Sequence, residues 1–295
     1  MGLTFCTPEI EQKDRYAGYY SMTPQRSSDF SLMNIFAWSD YGNYEWAFSD
    51  HLCWIRLHNP EFRYWAPVGN WNKVNWYEEL LSLFPEGVIF RRVPEKLAEM
   101  LRSGLGEKVE INEDRNEWEY VYSVQDLINL PGNRYHRKKN LLRQFISGYS
   151  HTYEDISENT VEEILIMQKE WCQWKRCDGS RGLKTEHDAI IRTLGNWKEF
   201  SDILGGLIRV DGKIVAYTIG EKLDEDTLAI HYEKGITDFK GIYQAINQFF
   251  LSRSASDFLW VNREQDVGSE GLRKAKLSYH PEHFVRKYVV KWKGQ

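Results

Sequence analysis

The sequence contains no run of about 18 uncharged apolar residues, which excludes a membrane-spanning helix. Its first residues, MGLTFCTPEIEQKDR, lack a basic stretch followed by an apolar one, so no secretory leader is expected. Cysteine is sparse: Cys6, Cys53, Cys172 and Cys177 are too few for a disulfide scaffold in 295 residues. Cys172 and Cys177 have no His/Cys pair to complete a zinc pattern, and the eight histidines show no metal spacing, so no metal site is expected. Cys172 also sits beside Trp171 on an apolar helical stripe, the setting of an inert core thiol rather than a nucleophile. All four are read as reduced thiols of a cytoplasmic protein. Positive charge is in deficit, with 38 Lys+Arg against 43 Asp+Glu and a net charge of −5, which argues against a general nucleic-acid binder and against DNA in particular.

Rings are abundant. The 12 Trp, 17 Tyr and 14 Phe equip the chain for a large core, and its length fits two domains or one large one. The charge is also uneven. Residues 127–153 hold Arg134, Arg137, Lys138, Lys139 and Arg143 and no acid; residues 272–295 hold seven Lys/Arg and only Glu282. Two basic blocks in an acidic chain suit a compact anionic ligand such as a phosphate, a CoA or a tRNA acceptor end.

In the second half, HTYEDIS (151–157) alternates like a strand. Helices are expected over about 159–177 and 184–200. Strands at 203–210 and 213–221 are joined by Asp211-Gly212, a tight-hairpin turn. A strand at 228–233, a loop ending at Gly241, a helix, a strand at 258–262, a helix within 268–279 and an alternating strand at 284–292 complete the order β-α-α-β-β-β-α-β-α-β. That succession looks like the GNAT acyltransferase fold. The first half reads α-β-β-β-α-β-α-β, the same core order. The expected architecture is therefore α+β, with tandem GNAT-like domains, each a mixed, mostly antiparallel sheet flanked by helices. The boundaries are 1–132 for the first domain, 133–149 for a basic bridging helix and 150–295 for the second domain.

Three segments could carry chemistry. In LPGNRYHRKKN (130–140), Arg134 and Lys138 are four apart on one helix face, and a basic first turn opposes the helix dipole unless an anion or acidic partner relieves it. Arg134, Arg137, Lys138 and Asn140 are the donor-binding candidates there. In GITDFKGIYQ (235–244), a strand is followed by a helix start whose backbone N–H groups can hold phosphate, which nominates Lys240 and Gly241. A GNAT pyrophosphate loop reads Gln/Arg-x-x-Gly-x-Gly/Ala; here Asp238 and Tyr243 depart from it and only Gly241 matches. The third segment, NREQDVGSEGLRKAKLSYHP (262–281), follows an apolar strand at the kind of strand end where open sheets bind ligands. Glu264 and Asp266 are candidates to orient or deprotonate an acceptor, and Tyr232 on the central strand joins them as a third catalytic candidate. Arg273 and Lys276 are candidates for a phosphate clamp. Asn262, Gln265, Gly268, Gly271 and Tyr279 are candidates to shape the acceptor site.

The last segment, together with LPGNRYHRKKNLLRQF, NIFAW and FRYWAPVG, resembles a bacterial family similar to the C-terminal domain of phosphatidylglycerol lysyltransferase. The resemblance spans nearly the whole chain. It implies tandem GNAT folds, kinship with Fem-type aminoacyltransferases, and aminoacyl-tRNA in place of acetyl-CoA, which suits the degenerate loop around Gly241. The expected protein is an acyl- or aminoacyl-transferase without a tightly bound cofactor, taking an aminoacyl-tRNA or acyl-CoA as co-substrate. An amine or hydroxyl attacks an activated ester, and backbone N–H groups near His231–Glu233 polarise its carbonyl. The lysyltransferases proper carry a membrane-embedded portion before this domain, and this sequence shows none; peripheral contact with a membrane surface stays open. Two other readings stay open as well: an acetyl-CoA-dependent N-acetyltransferase, and a non-catalytic GNAT-shaped module binding an anionic ligand.

Overall fold

A computed structural model describes residues 2–295, which fall into two compact units. The first holds residues up to 119 together with 265–273 and 284–295; the second holds 120–264 and 274–283. This grouping differs from the boundaries at 132 and 149. The basic helix belongs within the second unit, because its apolar side (Leu142, Phe145) is buried there, and the C-terminal strand belongs to the first.

The first unit begins with α1 (Lys13–Ser21) and α2 (Leu32–Gly42). It continues through β1 (Tyr44–Phe48), β2 (Leu52–Leu57), β3 (Arg63–Trp65), β4 (Val68–Gly69), α3 (Trp76–Leu83), β5 (Val88–Pro94), α4 (Glu95–Leu105) and β6 (Val109–Glu113). Local chemistry sets the helix ends. The Ser31 hydroxyl accepts the Asn34 N–H to start α2, and Asn43, at φ 47°, ends it. The second unit runs through β7 (Glu119–Ser123), α5 (Val124–Asn129), α6 (His136–Gly148), β8 (His151–Asp155), α7 (Glu158–Lys175), α8 (Arg181–Gly195), β9 (Ile203–Val210), β10 (Lys213–Lys222) and β11 (Thr227–Gly235). It ends with α9 (Ile242–Ser254), β12 (Trp260–Gln265), α10 (Glu270–Leu277) and β13 (His283–Val285). Residues 211 and 212 both take positive φ (50° and 77°), the paired left-handed turn that the β9–β10 hairpin needs.

The expected strand at 284–292 is in fact two. β13 joins the second sheet, ordered β13-β7-β12-β11-β10-β9-β8. β14 (Lys287–Trp292) joins the first, ordered β1-β2-β3-β5-β14-β6 with β4 on β2. The two short helices α1 and α5 were not foreseen.

The rings find their use in the core of the first unit, where Trp46, Trp54, Trp71 and Trp292 are fully buried with Tyr16, Phe30 and Phe90. Their polar ends are satisfied: the Trp46 and Trp71 indoles donate to Gln12 Oε1 (2.8 Å) and the Pro67 carbonyl (2.8 Å), and Trp292 to the Phe84 carbonyl (3.0 Å). The same unit buries an ionic cluster. Lys287 Nζ donates to Asp29 and, at 2.7 Å, to Glu119, and Arg92 pairs with Asp29.

Cys172 and Cys177 are joined by a disulfide, not reduced as expected. Arg176 takes a left-handed conformation (φ 54°) just past α7 and turns Cys177 back onto the last helical turn, within 5.2 Å Cα–Cα of Cys172. Cys6 and Cys53 are free thiols. Among the described residues no helix is long and apolar enough to cross a membrane.

Candidate functional site

The second sheet parts between β11 and β12. β11 and β12 run parallel and pair only at Thr227↔Trp260, Leu228↔Val261 and Ala229↔Asn262. β11 continues to Gly235 and β12 to Gln265 without further pairing to each other. Parallel strands parting at their carboxyl ends leave a crevice where backbone N–H groups are free to face a ligand. On its other side β11 carries a bulge: Ile219 faces Tyr232 and Gly220 faces Ile230, so His231 is the extra residue.

The bulge places His231 beside the Tyr232 ring (centroids 6.3 Å apart) and between two carboxylates. His231 Nδ1 is 2.7 Å from Glu264 Oε1, and Nε2 is 3.2 Å from Glu221 Oε2. Burial alone would lower the imidazole pKa; the two carboxylates outweigh it and hold it at about 10, so the ring is a cation at neutral pH. Glu264 itself sits at φ 58°, an unusual backbone for a glutamate. Two neighbours hold that turn: Asn262 Oδ1 accepts the Glu264 N–H at 2.8 Å, and Lys276 Nζ donates to the carbonyls of Arg263 and, at 3.1 Å, Glu264.

Adjacent strand residues face opposite sides of the sheet. Lys234 pairs with Glu186 of α8 at 2.6 Å, whereas Glu233 accepts from Asn247 of α9 at 3.2 Å. On the α9 side Arg263 pairs with Glu233 at 3.0 Å and lies 4.9 Å from the Tyr279 ring centroid. Lys138 of α6 places its ammonium 3.8 Å from the same centroid. The Tyr279 hydroxyl accepts from Gln244 at 3.0 Å. Burial, with the Arg263 charge adding to it, lowers the Lys138 pKa to about 8. Among the described residues Lys138 has no carboxylate partner.

The predicted site residues divide accordingly. Glu264 and Tyr232 come together with His231 and Glu221, and Asn262, Lys276 and Tyr279 support the same strand ends. Burial pushes the Tyr232 phenol well up, and Thr193 beside it pulls the other way. Asp266 is no base. It is fully buried in the first unit, where it accepts the Gly268 N–H (2.9 Å) and two Arg273 bonds (2.9 Å each), with Arg115 at 3.4 Å. Arg273 is thereby committed, with a further bond to Asn116 at 2.8 Å, and is no phosphate clamp. Lys276, spent on two backbone carbonyls, is a positioning residue and not its companion. Gln265 donates to Asp29 at 3.0 Å, Gly268 serves the Asp266 turn at φ 78°, and Gly271 lies exposed; these three take no part in the β11–β12 crevice.

In the basic segment, Arg134 does not share a helix face with Lys138. It lies in the 3-10 turn before α6 and pairs with Asp126. Arg137 and Asn140 are exposed. The start of α9 is no open phosphate seat: a Cβ on Gly241 would stand 2.1 Å from the Leu141 carbonyl oxygen of α6. Gly241, at φ 88°, is there for the close approach of two helices, and the Lys240 N–H is taken by the Tyr149 hydroxyl at 3.2 Å. Sequence reading missed the side chains of His231, Glu221, Arg263 and Glu233. The polar residues at the ends of three neighbouring strands were a usable signal; the bulge was not. Cavities of about 940 and 350 Å³ lie in the first unit and are lined by none of the predicted site residues.

The fold has close counterparts among solved structures. A conserved Bacteroides thetaiotaomicron protein of unknown function is 29% identical, with 99% of this chain and 100% of that one covered at a TM-score of 0.87. L-PGS from Bacillus licheniformis is 13% identical, with 96% and 92% covered at 0.65, a likeness of fold. An uncharacterized Mycoplasmoides gallisepticum protein is 24% identical over 177 residues, 58% of this chain, and the match spans 55% of that protein's length. The family model described as phosphatidylglycerol lysyltransferase, C-terminal, matches residues 20–291. With two mixed sheets flanked by helices and that match over nearly its whole length, the chain belongs to the phosphatidylglycerol lysyltransferase C-terminal family.

Proposed function

We propose that the chain is an acyltransferase that moves an aminoacyl group from an aminoacyl-tRNA-type donor to a nucleophilic acceptor at the parted ends of β11 and β12. Family and fold support acyl transfer in general. The observation that carries the donor class is Lys138: a half-buried ammonium without an acid partner, beside Arg263 and over the Tyr279 ring. Such a cation favours an anion, and a flat ring next to two cations suits a nucleotide's phosphate and base. Gly241 supports the same choice from the other direction, since α6 covers the helix start on which a CoA pyrophosphate would rest.

The chemistry asked of the protein is positioning and charge stabilisation. The ester carbonyl lies at the opened strand edge, where β11 N–H groups beyond Ala229 have no β12 partner to bond. Glu264, fixed by His231, Asn262 and Lys276, takes the acceptor's proton. Fluorescence anisotropy with a labelled aminoacyl-tRNA, with acetyl-CoA as competitor, tests the reading. Saturable binding that acetyl-CoA does not displace is expected. Displacement by acetyl-CoA, or no binding of the charged tRNA, refutes it.

A further inference from the structure

Of the basic residues around the start of α6, one is placed differently from the rest. Arg134 is paired with Asp126, and Arg137 is exposed. Lys138 is half-buried, with its ammonium 3.8 Å from the Tyr279 ring centroid and no acid partner among the described residues. Three elements bring the other charged and titratable groups to this ring. From β12, Arg263 lies 4.9 Å from the same centroid. From β11, Glu233 is engaged by Arg263 at 3.0 Å and by Asn247 of α9 at 3.2 Å. Past the end of α10, Tyr279 receives the Gln244 amide on its hydroxyl, so it offers Lys138 a ring face and no negative charge.

An ammonium in that setting is poorly compensated. Burial, with the Arg263 charge adding to it, outweighs the attraction of the ring face and holds the Lys138 pKa at about 8. At neutral pH roughly a tenth of the side chain is then the free amine, against about one part in 2,500 for an ordinary lysine. The position is also partly open to solvent, so a small reagent reaches the amine without a cavity having to form. The protonated form, lacking a carboxylate, draws anions. A small reagent that is anionic and carries an activated acyl group meets both conditions, and an acyl phosphate is such a reagent.

We propose that Lys138 is an acylation site, modified by acyl phosphates while the donor seat is empty, and that the resulting amide closes the seat to the donor. The modification stands on the surroundings of the lysine; its effect on the donor rests on the transferase reading above. The ammonium first gives one proton to water. The amine lone pair forms the N–C bond to the acyl carbon, and the bond from that carbon to the phosphate oxygen breaks. Its electron pair leaves on inorganic phosphate, which takes the second nitrogen proton. The product amide is uncharged and no longer attracts the donor's phosphates. A bound donor protects the site, because its phosphates favour the ammonium, which is no nucleophile.

The full chain is given a limited treatment with acetyl phosphate across a pH series and mapped for acetyl-lysine by mass spectrometry. A second arm follows the anisotropy of a labelled aminoacyl-tRNA before and after treatment. At neutral pH Lys138 should be modified at least about tenfold faster than the exposed Lys213. Its rate should level off above about pH 8, while that of Lys213 keeps rising. Acetylated wild type should lose about tenfold or more in donor affinity, and the same treatment should leave the affinity of Lys138→Arg where it started. Modification of Lys138 no faster than of Lys213 overturns the proposal. So does full donor affinity in the Lys138-acetylated chain, or an equal loss on treatment of Lys138→Arg. Preferential acetylation of Lys138 in a chain that binds no aminoacyl-tRNA refutes the transferase reading and leaves the acylation site standing; tRNA binding without preferential acetylation refutes the acylation site alone.

Discussion

Gly241→Ala separates two uses of the same glycine. At φ 88° an alanine carries a left-handed backbone penalty of roughly 1–2 kcal/mol. Its Cβ would also stand 2.1 Å from the Leu141 carbonyl oxygen and 3.2 Å from the Phe145 Cβ. The first contact is with backbone, so α6 as a whole must shift, and overpacking of that kind costs about 1–3 kcal/mol. The combined loss of about 3 kcal/mol corresponds to a melting temperature about 6–12 °C lower for a protein of this class of size. Urea unfolding at constant m-value measures the loss directly. A glycine kept for close approach of a phosphate predicts something different: unchanged stability and a loss of donor affinity alone. A Gly241→Ala protein with wild-type stability would refute the account of the α6–α9 contact.

Lys287→Met should destabilise by about 3–5 kcal/mol, because it leaves Asp29 and Glu119 buried without their shared cation; urea unfolding reads this, and a loss below 1 kcal/mol would contradict it. The Asp29 pKa is about 2: burial would raise it, but Arg92 and Lys287 outweigh burial, so its contribution is full above about pH 4 and fades as pH falls through 2. Acid unfolding curves of the wild type should therefore be steeper over that window than those of Asp29→Asn. His231 has the opposite sign: with its pKa raised from 6.5 to about 10, its stabilising contribution is full below pH 6.5 and lost as pH rises through 10. Its imidazole should stay protonated at pH 8 by NMR, and the fall in stability between pH 7 and 10 should be shallower in His231→Gln.

Much of the fold was legible because its signals are local. Asp211-Gly212 announces the hairpin, and the 242, 245, 246, 249, 250 spacing announces α9. What escaped depends on contacts distant in sequence. Nothing near Arg286 says that the chain changes sheets there; Lys287 does so because Asp29 and Glu119, more than 160 residues away, bury it. The site shows the same division. The polar run after β12 stands out in the sequence, but its charges are spent within the fold: Asp266 on Arg273, and Lys276 on the backbone of Arg263 and Glu264. Counting charges in a segment cannot separate a latch from a ligand contact. Among the described residues Lys138 has no acid partner, and that absence is visible only in three dimensions.

The claim that Lys138 seats the donor is tested most directly by the affinity of a 3′-aminoacylated acceptor-stem RNA for the wild type, Lys138→Ala and Arg134→Ala. Losing a charge-assisted contact of about 1.5–3 kcal/mol should weaken binding at least tenfold in Lys138→Ala. Arg134, paired with Asp126, should matter little, with a change of about twofold or less. Equal affinities of the wild type and Lys138→Ala, or tight binding of acetyl-CoA in place of the RNA, would contradict the account.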